Sequence, residues 1–303
     1  MRRLLRSSLP LYVLACIDYH TAMHLEPLTQ LNWAYRLHYY LCWQTHRYRA
    51  LFTDNSKHRA LAETLQEICQ RHDYHLLHFK IYPDHVRCLL SLRPAHIIAT
   101  VIQKLKANSA REFRIQFPDV SLPLWARGYF ARSVGQVRIE AVRRYLDQQA
   151  EHHGYSNRTL PPAYRYKATQ PVRLEAAHAN FDLIHHLVFA TRYREGIFGS
   201  SSGKALTEYW LRVAAKKGFA IDQISIVPDH VHMLVRLAPT MSVEMCGLWL
   251  LNNGQYFMGK EFGNLLVRAK VPALWQPSGY AGTCGTVTTA LVKQFLNAEK
   301  VRS

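Results

Sequence analysis

The sequence predicts an α+β protein made of two tandem ferredoxin-like (RRM-like) units. A length of 303 residues suits two domains of ordinary size. One phrase also occurs twice at a shift of 145 residues (226 − 81), as IYPDHVRCLL at 81–90 and IVPDHVHMLV at 226–235, with six of ten positions identical. Such internal repetition is the first sign of a duplicated structural unit.

Two further pairs of segments repeat in the same order. THRYRALF at 45–52 corresponds to TRYREGIF at 191–198, and LWARGYFARSVG at 124–135 corresponds to LWQPSGYAGTCG at 274–285. Because the order agrees throughout and the shift stays between 145 (226 − 81) and 150 (274 − 124) residues, we interpret the chain as one unit written twice. We divide it into an N-terminal extension (1–30), a first unit (31–153), a linker (154–178) and a second unit (179–303).

The elements of the first unit follow from its hydrophobic pattern. Aromatic and apolar residues predict a strand at 35–44, and helical spacing predicts a helix at 56–72. Strands at 75–83 and 85–94 flank a Pro-Asp turn, before a long helix at 95–117. A strand at 128–134 and a helix from about 138 to 150 complete the unit. The order β-α-β-β-α-β plus a final helix is typical of a ferredoxin-like sandwich.

The composition indicates a folded protein with a polyanionic partner. Hydrophobic residues make up 49% of the chain, which argues against disorder. The 38 Lys and Arg exceed the 21 Asp and Glu, for a net charge of +17. Neutralising phosphates releases counterions and favours binding, so nucleic acid is the expected partner. A basic surface kept for solubility alone is the alternative.

Location follows from the cysteines and the apolar segments. The six cysteines are scattered without a CxxC pair, which fits core residues in a reducing compartment and gives no zinc site. The N-terminus imitates a secretory signal, but its apolar run, 9–16, is short and contains Pro10. No segment approaches the ~20 apolar residues of a membrane helix. We expect a cytoplasmic protein without a membrane partner.

The second copy of the repeated phrase contains a histidine pair. His230 and His232 are two residues apart on a predicted strand, so both side chains project from one face. Two imidazoles side by side form half of a divalent metal site. The alternative is that both are ordinary half-buried strand residues.

The full pattern comprises PDHVH opening an apolar strand, a helix, LW with a following GY and VG, and a last helix with YLDQQ. It resembles the small single-tyrosine HUH transposases of the IS200/IS605 type and their REP-associated relatives, over nearly all of both units. The resemblance implies cleavage and rejoining of single-stranded DNA, often beside a hairpin, with Mg²⁺ or Mn²⁺ as cofactor.

The resemblance also assigns roles to residues of this chain. His230 and His232 would hold the metal together with Gln149, and Tyr145 would attack the phosphate to form a 5′-phosphotyrosine link and a free 3′-OH. In model peptides a tyrosine is only about 0.1 per cent phenolate at neutral pH, so metal activation of the phosphate suits this nucleophile. Alternatively, Tyr145 belongs to the apolar stripe of its helix, which contains Ile139, Val142 and Leu146.

Each unit lacks one half of this site. The first unit has Arg87 in place of the second histidine beside His85, and a guanidinium is not a metal ligand. From the LW segments onward the shift is 150 (285 − 135), so Phe295 aligns with Tyr145 and Glu299 with Gln149. The surviving residues are therefore complementary.

In this family the active protein can be a dimer whose last helix packs against the partner's histidines. The sequence thus predicts an intramolecular pseudodimer, monomeric as a chain, with one composite site and an inert mirror site. The alternative is a domesticated, non-catalytic DNA-hairpin-binding protein or regulator. Two-histidine phosphoesterases are disfavoured because neither copy has Thr or Ser two residues after the histidine.

Basic residues that could track a DNA backbone form a further set. They are Arg47, Arg49, Lys104, Lys106, Arg111, Arg192 and Arg194. Trp43, Tyr48, Trp125 and Trp275 are candidates for stacking on bases. Each of these could equally be a solvated charge or a core aromatic.

Overall fold

The fold was obtained as a computed structural model that describes residues 25–120, 123–135, 138–152 and 164–301. Within these ranges the strands are β1 Asn32–Arg36, β2 His38–Gln44, β3 His75–Ile81, β4 His85–Ser91, β5 Tyr129–Val134, β6 Tyr164–Lys167, β7 Ala179–Asp182, β8 Ile184–Thr191, β9 Ala220–Val227, β10 His230–Arg236 and β11 Trp275–Cys284. The α-helices are α1 Asn55–Arg71, α2 Ile98–Gln116, α3 Ile139–His152, α4 Ser200–Lys217, α5 Val243–Glu261, α6 Gly263–Ala269 and α7 Thr289–Val301.

Both units have the predicted ferredoxin-like order. The first sheet contains β3-β4-β2-β5 and the second contains β11-β8-β10-β9, so the first strand of each unit lies between its third and fourth. The helices pack by their apolar faces, as in α1, where Leu61, Leu65 and Ile68 are buried. The predicted fold class is confirmed.

The two units exchange strands. The short strand that precedes each unit's first core strand joins the other unit's sheet: β1 pairs in parallel with β11, and β7 pairs in parallel with β5. A single strand at 35–44 was predicted, but the chain leaves one sheet after Arg36 and enters the other at His38. Each sheet therefore contains backbone from both units, which ties them into one body.

The segment predicted as linker contains β6. This strand pairs antiparallel with β9, from Tyr164 opposite Ile226 to Lys167 opposite Gln223. Its tyrosines are half-buried and the basic residues that alternate with them are exposed, as expected for a strand that covers a sheet edge. Because only four residues alternate, the pattern was too short to be recognised in the sequence.

The chain crosses between units at two glycines. The Gly135 N–H donates to the Gly285 carbonyl oxygen at 3.0 Å, and a Cβ added at Gly135 would lie 2.1 Å from the Thr283 oxygen. Gly285 has φ +116°, a conformation that side chains rarely adopt. The Ser133 hydroxyl also donates to the Cys284 oxygen at 2.6 Å. Glycine at both positions lets the chain cross, so that α3 and α7 each reach the opposite unit.

A hydrogen bond between two buried side chains also joins the units. Tyr39 Oη lies 2.8 Å from His185 Nε2, and the two side chains belong to equivalent strands, β2 and β8. Both residues are buried. Burial lowers the pKa of His185 from 6.5 to about 3, so this ring is neutral in the folded protein.

This histidine makes stability depend on pH. In the unfolded chain His185 takes up a proton near pH 6.5, whereas in the folded chain it stays neutral down to about pH 3. Its contribution to the free energy of unfolding is therefore fully present above pH 6.5 and is lost as the pH falls from 6.5 to about 3. The expected slope from one such group is at most about 1.4 kcal/mol per pH unit. Urea unfolding at neutral and mildly acidic pH measures it. His185→Asn should flatten the dependence, and an unchanged slope would contradict this assignment.

Candidate active site

Strand β10 presents both predicted metal-binding histidines on one face. The rings of His230 and His232 lie with centroids 5.0 Å apart, and each residue is buried, with exposed fractions of 2% and 6%. Val231 between them is fully buried in the core. The alternation predicted from the sequence therefore places the two imidazoles side by side.

A carboxylate orients the first of these rings. His230 Nδ1 lies 2.7 Å from Asp229 Oδ1, and the other carboxylate oxygen of Asp229 accepts from Arg194 Nη2 at 2.8 Å. The same Arg194 nitrogen lies 3.3 Å from His230 Nδ1. Asp229 thus ties the histidine to a cation on the loop after β8.

A histidine that the sequence analysis missed contacts the second ring. His186 on β8 places Nε2 3.1 Å from His232 Nδ1, with ring centroids 5.2 Å apart. Burial lowers the pKa of His186 to about 4, which keeps it neutral. The only signal in the sequence is the His-His pair at 185–186, and nothing local shows which of the two faces the site.

The helix that carries Tyr145 belongs to the first unit but lies on the sheet of the second. On α3, Val142 and Leu146 are buried against Ile184, Leu234 and Cys284. Polar contacts hold the same helix. Gln223 Nε2 donates to Asp147 Oδ1 at 2.9 Å, and Arg143 Nη2 lies 3.5 Å from Asp222 Oδ2.

This packing brings Tyr145 to the histidine pair. The rings of Tyr145 and His232 have centroids 5.5 Å apart and cross at 62°. Gln149 follows one turn later in α3, but its side chain lies outside the described residues. The structure therefore assembles Tyr145 of the first unit with His230 and His232 of the second.

The mirror arrangement contains the other set of residues. On α7, Val292 and Phe295 are buried against Cys42 and Phe130 of the first sheet, and the Phe295 and Phe130 rings lie 5.5 Å apart. The Glu299 side chain lies outside the described residues.

At the degenerate pair, Arg87 Nε donates to His85 Nε2 at 3.1 Å. An arginine N–H therefore engages the nitrogen with which His85 would ligate a metal.

The donor set of the composite site suits part of a divalent metal centre. Because the Nδ1 atoms of His230 and His232 are engaged by Asp229 and His186, Nε2 is the atom that each ring would offer to a metal. In the described parts of the chain, no group of three or more His, Cys, Asp or Glu is arranged to hold a metal. The implied third donor, Gln149, is an amide and is not of these types.

The seven predicted DNA-contacting cations occupy different settings. Arg194 lies beside His230, whereas Lys106 Nζ donates to three carbonyl oxygens at 126–128. Arg49 Nη2 donates to the Pro123 oxygen at 2.5 Å, and Arg111 pairs with Glu112. The remaining three are Arg47, which is exposed, Lys104, which lies 3.5 Å from His72 Nδ1, and Arg192, which lies over the Tyr193 ring. Their binding of DNA stays a prediction.

The prediction of base stacking is wrong for three tryptophans. Trp43 and Trp275 are fully buried and Trp125 is 7% exposed. They pack against aromatic neighbours in the cores, as in the edge-to-face pair of Trp43 and Trp125. Their burial was the alternative that the sequence left open. Within the described residues, no helix is both long and apolar enough to cross a membrane.

Fold and site together define a single-chain pseudodimer in which a helix of one unit presents a tyrosine to a histidine pair of the other. The chain belongs to the IS200-like transposase family, since the family profile described as "Transposase IS200 like" matches residues 33–149 and 179–299. The resemblance to Y1 HUH transposases is confirmed.

Individual relatives agree with this assignment. The chain is 26% identical over 128 residues to the transposase for insertion sequence element IS200 of Salmonella typhimurium, covering 41% of this chain and 84% of the relative. It is 24% identical over 135 residues to the ISDra2 transposase TnpA of Deinococcus radiodurans, covering 43% and 96%. Each match spans about the length of one unit, as expected after a tandem duplication.

Two solved structures are also similar. A crystal structure described as a transposase of Deinococcus radiodurans R1 matches at 27% identity with a TM-score of 0.32, covering 39% of this chain and 92% of that chain. A REP-associated tyrosine transposase bound to a REP hairpin matches at 12% identity with a TM-score of 0.27, covering 40% and 70%.

Proposed function

We propose that this protein cleaves and rejoins single-stranded DNA at one composite site. Tyr145 of the first unit is the nucleophile, and His230 and His232 of the second unit bind a divalent metal, Mg²⁺ or Mn²⁺, with Gln149. The observation that carries the proposal is the contact between Tyr145 and His232, whose ring centroids are 5.5 Å apart although the residues belong to different units.

The reaction begins at the hydroxyl of Tyr145. Its oxygen attacks the scissile phosphorus, the bond from phosphorus to the 3′ oxygen breaks, and the hydroxyl proton ends on that oxygen as a 3′-OH. The DNA fragment on the 3′ side of the break stays on the protein through its 5′-phosphate, as a phosphotyrosine. Attack by a 3′-OH on this link rejoins DNA and returns the proton to Tyr145. The metal, when bound, supplies electrophilic activation of the phosphate.

Three residues hold the histidines in place for this role. Asp229 accepts from His230, and Arg194 anchors Asp229. His186 accepts the Nδ1–H of His232, which selects the tautomer whose Nε2 carries the lone pair. We assign His186 as a positioning residue because it acts through His232.

A single composite site limits the reaction. Phe295 has no oxygen nucleophile, so the mirror site forms no phosphotyrosine, and excision of a DNA segment requires cleavage at two ends. We therefore propose strand transfer or end processing as the role, with single-stranded DNA near a hairpin as substrate.

The direct test uses DNA labelled at either end. Pools of single-stranded oligonucleotides are incubated with the protein and Mn²⁺ and separated under denaturing conditions. A 3′ label should migrate with the protein, because the 5′-phosphate stays on Tyr145, whereas a 5′ label should leave on a shorter DNA.

Label that never becomes protein-bound, in a protein that still binds hairpin DNA, would reject catalysis. That result would favour the non-catalytic DNA-hairpin-binding protein or regulator.

Removing His186 should weaken metal binding without removing a ligand. His186→Ala is expected to lower the affinity for Mn²⁺ by ~10–100-fold, as seen when partners of metal-binding histidines are removed. Titration calorimetry of the DNA-free protein measures this independently of activity. His186→Gln, which keeps an acceptor, should restore part of the affinity, and equal affinities in all three proteins would exclude the positioning role.

A further inference from the structure

The mirror site differs from the composite site in charge as well as in its missing ligands. Among the positions around the phrase PDHV that differ between units, three change polar or aromatic groups: Lys80 stands where the second unit has Ser225, Tyr82 where it has Val227, and Arg87 where it has His232. Strand pairing supports this correspondence, since Arg87 lies opposite Lys80 just as His232 lies opposite Ser225. The first unit therefore has two cations where the second has a hydroxyl and an imidazole.

Tyr82 organises these cations. Its ring stacks on His85 with centroids 4.3 Å apart at an angle of 7°. The guanidinium carbon of Arg87 lies 4.4 Å from the centre of the same ring, and Lys80 Nζ lies 5.1 Å from it. Cation–π attraction thus holds both positive groups at one aromatic ring.

His85 fixes the direction of the guanidinium. Its Nδ1–H donates to Asp84 Oδ1 at 2.7 Å, so Nε2 is the acceptor for Arg87 Nε–H at 3.1 Å. This chain of hydrogen bonds gives His85 a role that needs no metal. His85 accepts only one of the five N–H donors of Arg87.

Within the described residues, no carboxylate pairs with either of the two cations. Across the described part of the chain, neither Arg87 nor Lys80 forms an ion pair with Asp or Glu. Lys80 is exposed and Arg87 is half-buried, so both can be approached from solvent. An oriented guanidinium with a nearby ammonium matches the geometry and charge of a phosphate group.

We propose that Lys80 and Arg87 form a metal-independent binding site for a backbone phosphate of single-stranded DNA. The proposal rests on the proposed function, because that function supplies the single strand. The position on the first sheet is equivalent to that of the catalytic histidines on the second, so the duplicated unit holds DNA at one site and cleaves it at the other. Arginine takes the place of the metal as the group that binds phosphate.

The test measures DNA binding in EDTA, where the composite site has no metal. The probe is a fluorescent oligothymidylate, and the variant Lys80→Ser with Arg87→His introduces the second unit's residues. We expect its affinity to fall by about ten-fold or more, since two charge-assisted hydrogen bonds to phosphate are removed. The slope of log affinity against log salt should become shallower by about 0.7 for each phosphate that the protein no longer neutralises.

A matched double variant controls for the loss of charge. Arg59→His with Lys260→Ser makes the same chemical changes at exposed residues on α1 and α5. If this control weakens binding as much as the mirror-site variant, or if the mirror-site variant keeps the parent's affinity and slope, the proposal is overturned. Equal thermal melting curves for the three proteins show that folding is unaffected.

Inorganic phosphate distinguishes the source of the ligand. Suppose that inorganic phosphate displaces the oligonucleotide at a concentration comparable with that of the oligonucleotide's own phosphate groups. That result would identify a small-anion site and overturn the proposal of a DNA site. The proposed function fails separately, in the Mn²⁺ labelling experiment. A protein that forms the Tyr145 adduct but binds DNA independently of Arg87 and Lys80 would retain the function and lose this inference.

Discussion

Replacing Tyr145 with phenylalanine is expected to abolish covalent attachment of DNA to the protein while leaving the fold and DNA binding intact. The change removes one hydroxyl from a half-buried ring that packs on His232, so helix α3 keeps its apolar contacts. Without this oxygen the composite site has no group to attack the phosphorus. Denaturing gels with 3′-labelled DNA and Mn²⁺ measure the adduct, and fluorescence anisotropy measures binding.

The duplicated chain supplies the matched control. Phe295→Tyr adds a hydroxyl at the equivalent position of α7, where the neighbouring unit has Arg87 in place of a second histidine. Neither Phe295→Tyr alone nor its combination with Tyr145→Phe should produce a new adduct. An adduct that persists in Tyr145→Phe, mapped by peptide digestion to another tyrosine, would show that the nucleophile has been misassigned.

The sequence predicted those features that depend on local pattern and repetition. The 145-residue shift located the histidine pair and its degraded copy, and the helical spacing of Val142 and Leu146 identified the buried face of the last helix. The comparison of copies showed that Arg87 and Phe295 fall on opposite halves of a site. Together with the dimeric arrangement that the family resemblance implies, these complementary losses predicted packing between the units.

Features that depend on long-range pairing could not be predicted from the sequence. Strands β1 and β7 are short segments that pair with the sheet of the opposite unit. In the sequence, the residues on either side of Leu37 have the pattern of one continuous strand, although they belong to two. His186 faces His232 only because β8 and β10 pair in a register that sets Val188 opposite His232. Register is a property of two strands together, so no inspection of either one alone reveals the contact.

A few positions determine how the histidine site of the second unit differs from its counterpart in the first. Both units place a histidine at the start of the equivalent strand and a carboxylate just before it. In the second unit the next inward residue is His232, held by His186, and in the first it is Arg87, held by His85. One substitution at an equivalent strand position thus replaces a proposed metal ligand with a cation.

Truncating Leu146 should damage both stability and activity, because this residue anchors α3 to the opposite unit. Leu146 is fully buried against Ile184, Leu234 and Cys284. Leu146→Ala is expected to lower the free energy of unfolding by ~2–5 kcal/mol, measured by urea denaturation. Since Tyr145 precedes it on the same helix, weaker docking should also lower the rate of adduct formation.

Substitutions at two equivalent valines separate the loss of stability from the loss of activity. Val142 on α3 and Val292 on α7 are both buried, at 6% and 2% exposure, and occupy corresponding positions of the repeat. Val142→Ala and Val292→Ala should destabilise the protein to a similar extent, because each removes two methyl groups from the contact between a helix and the opposite sheet. Only Val142→Ala should slow adduct formation, since α7 carries Phe295 instead of the nucleophile. Equal slowing by both variants would mean that global stability, and not the docking of α3 beside His232, limits the reaction.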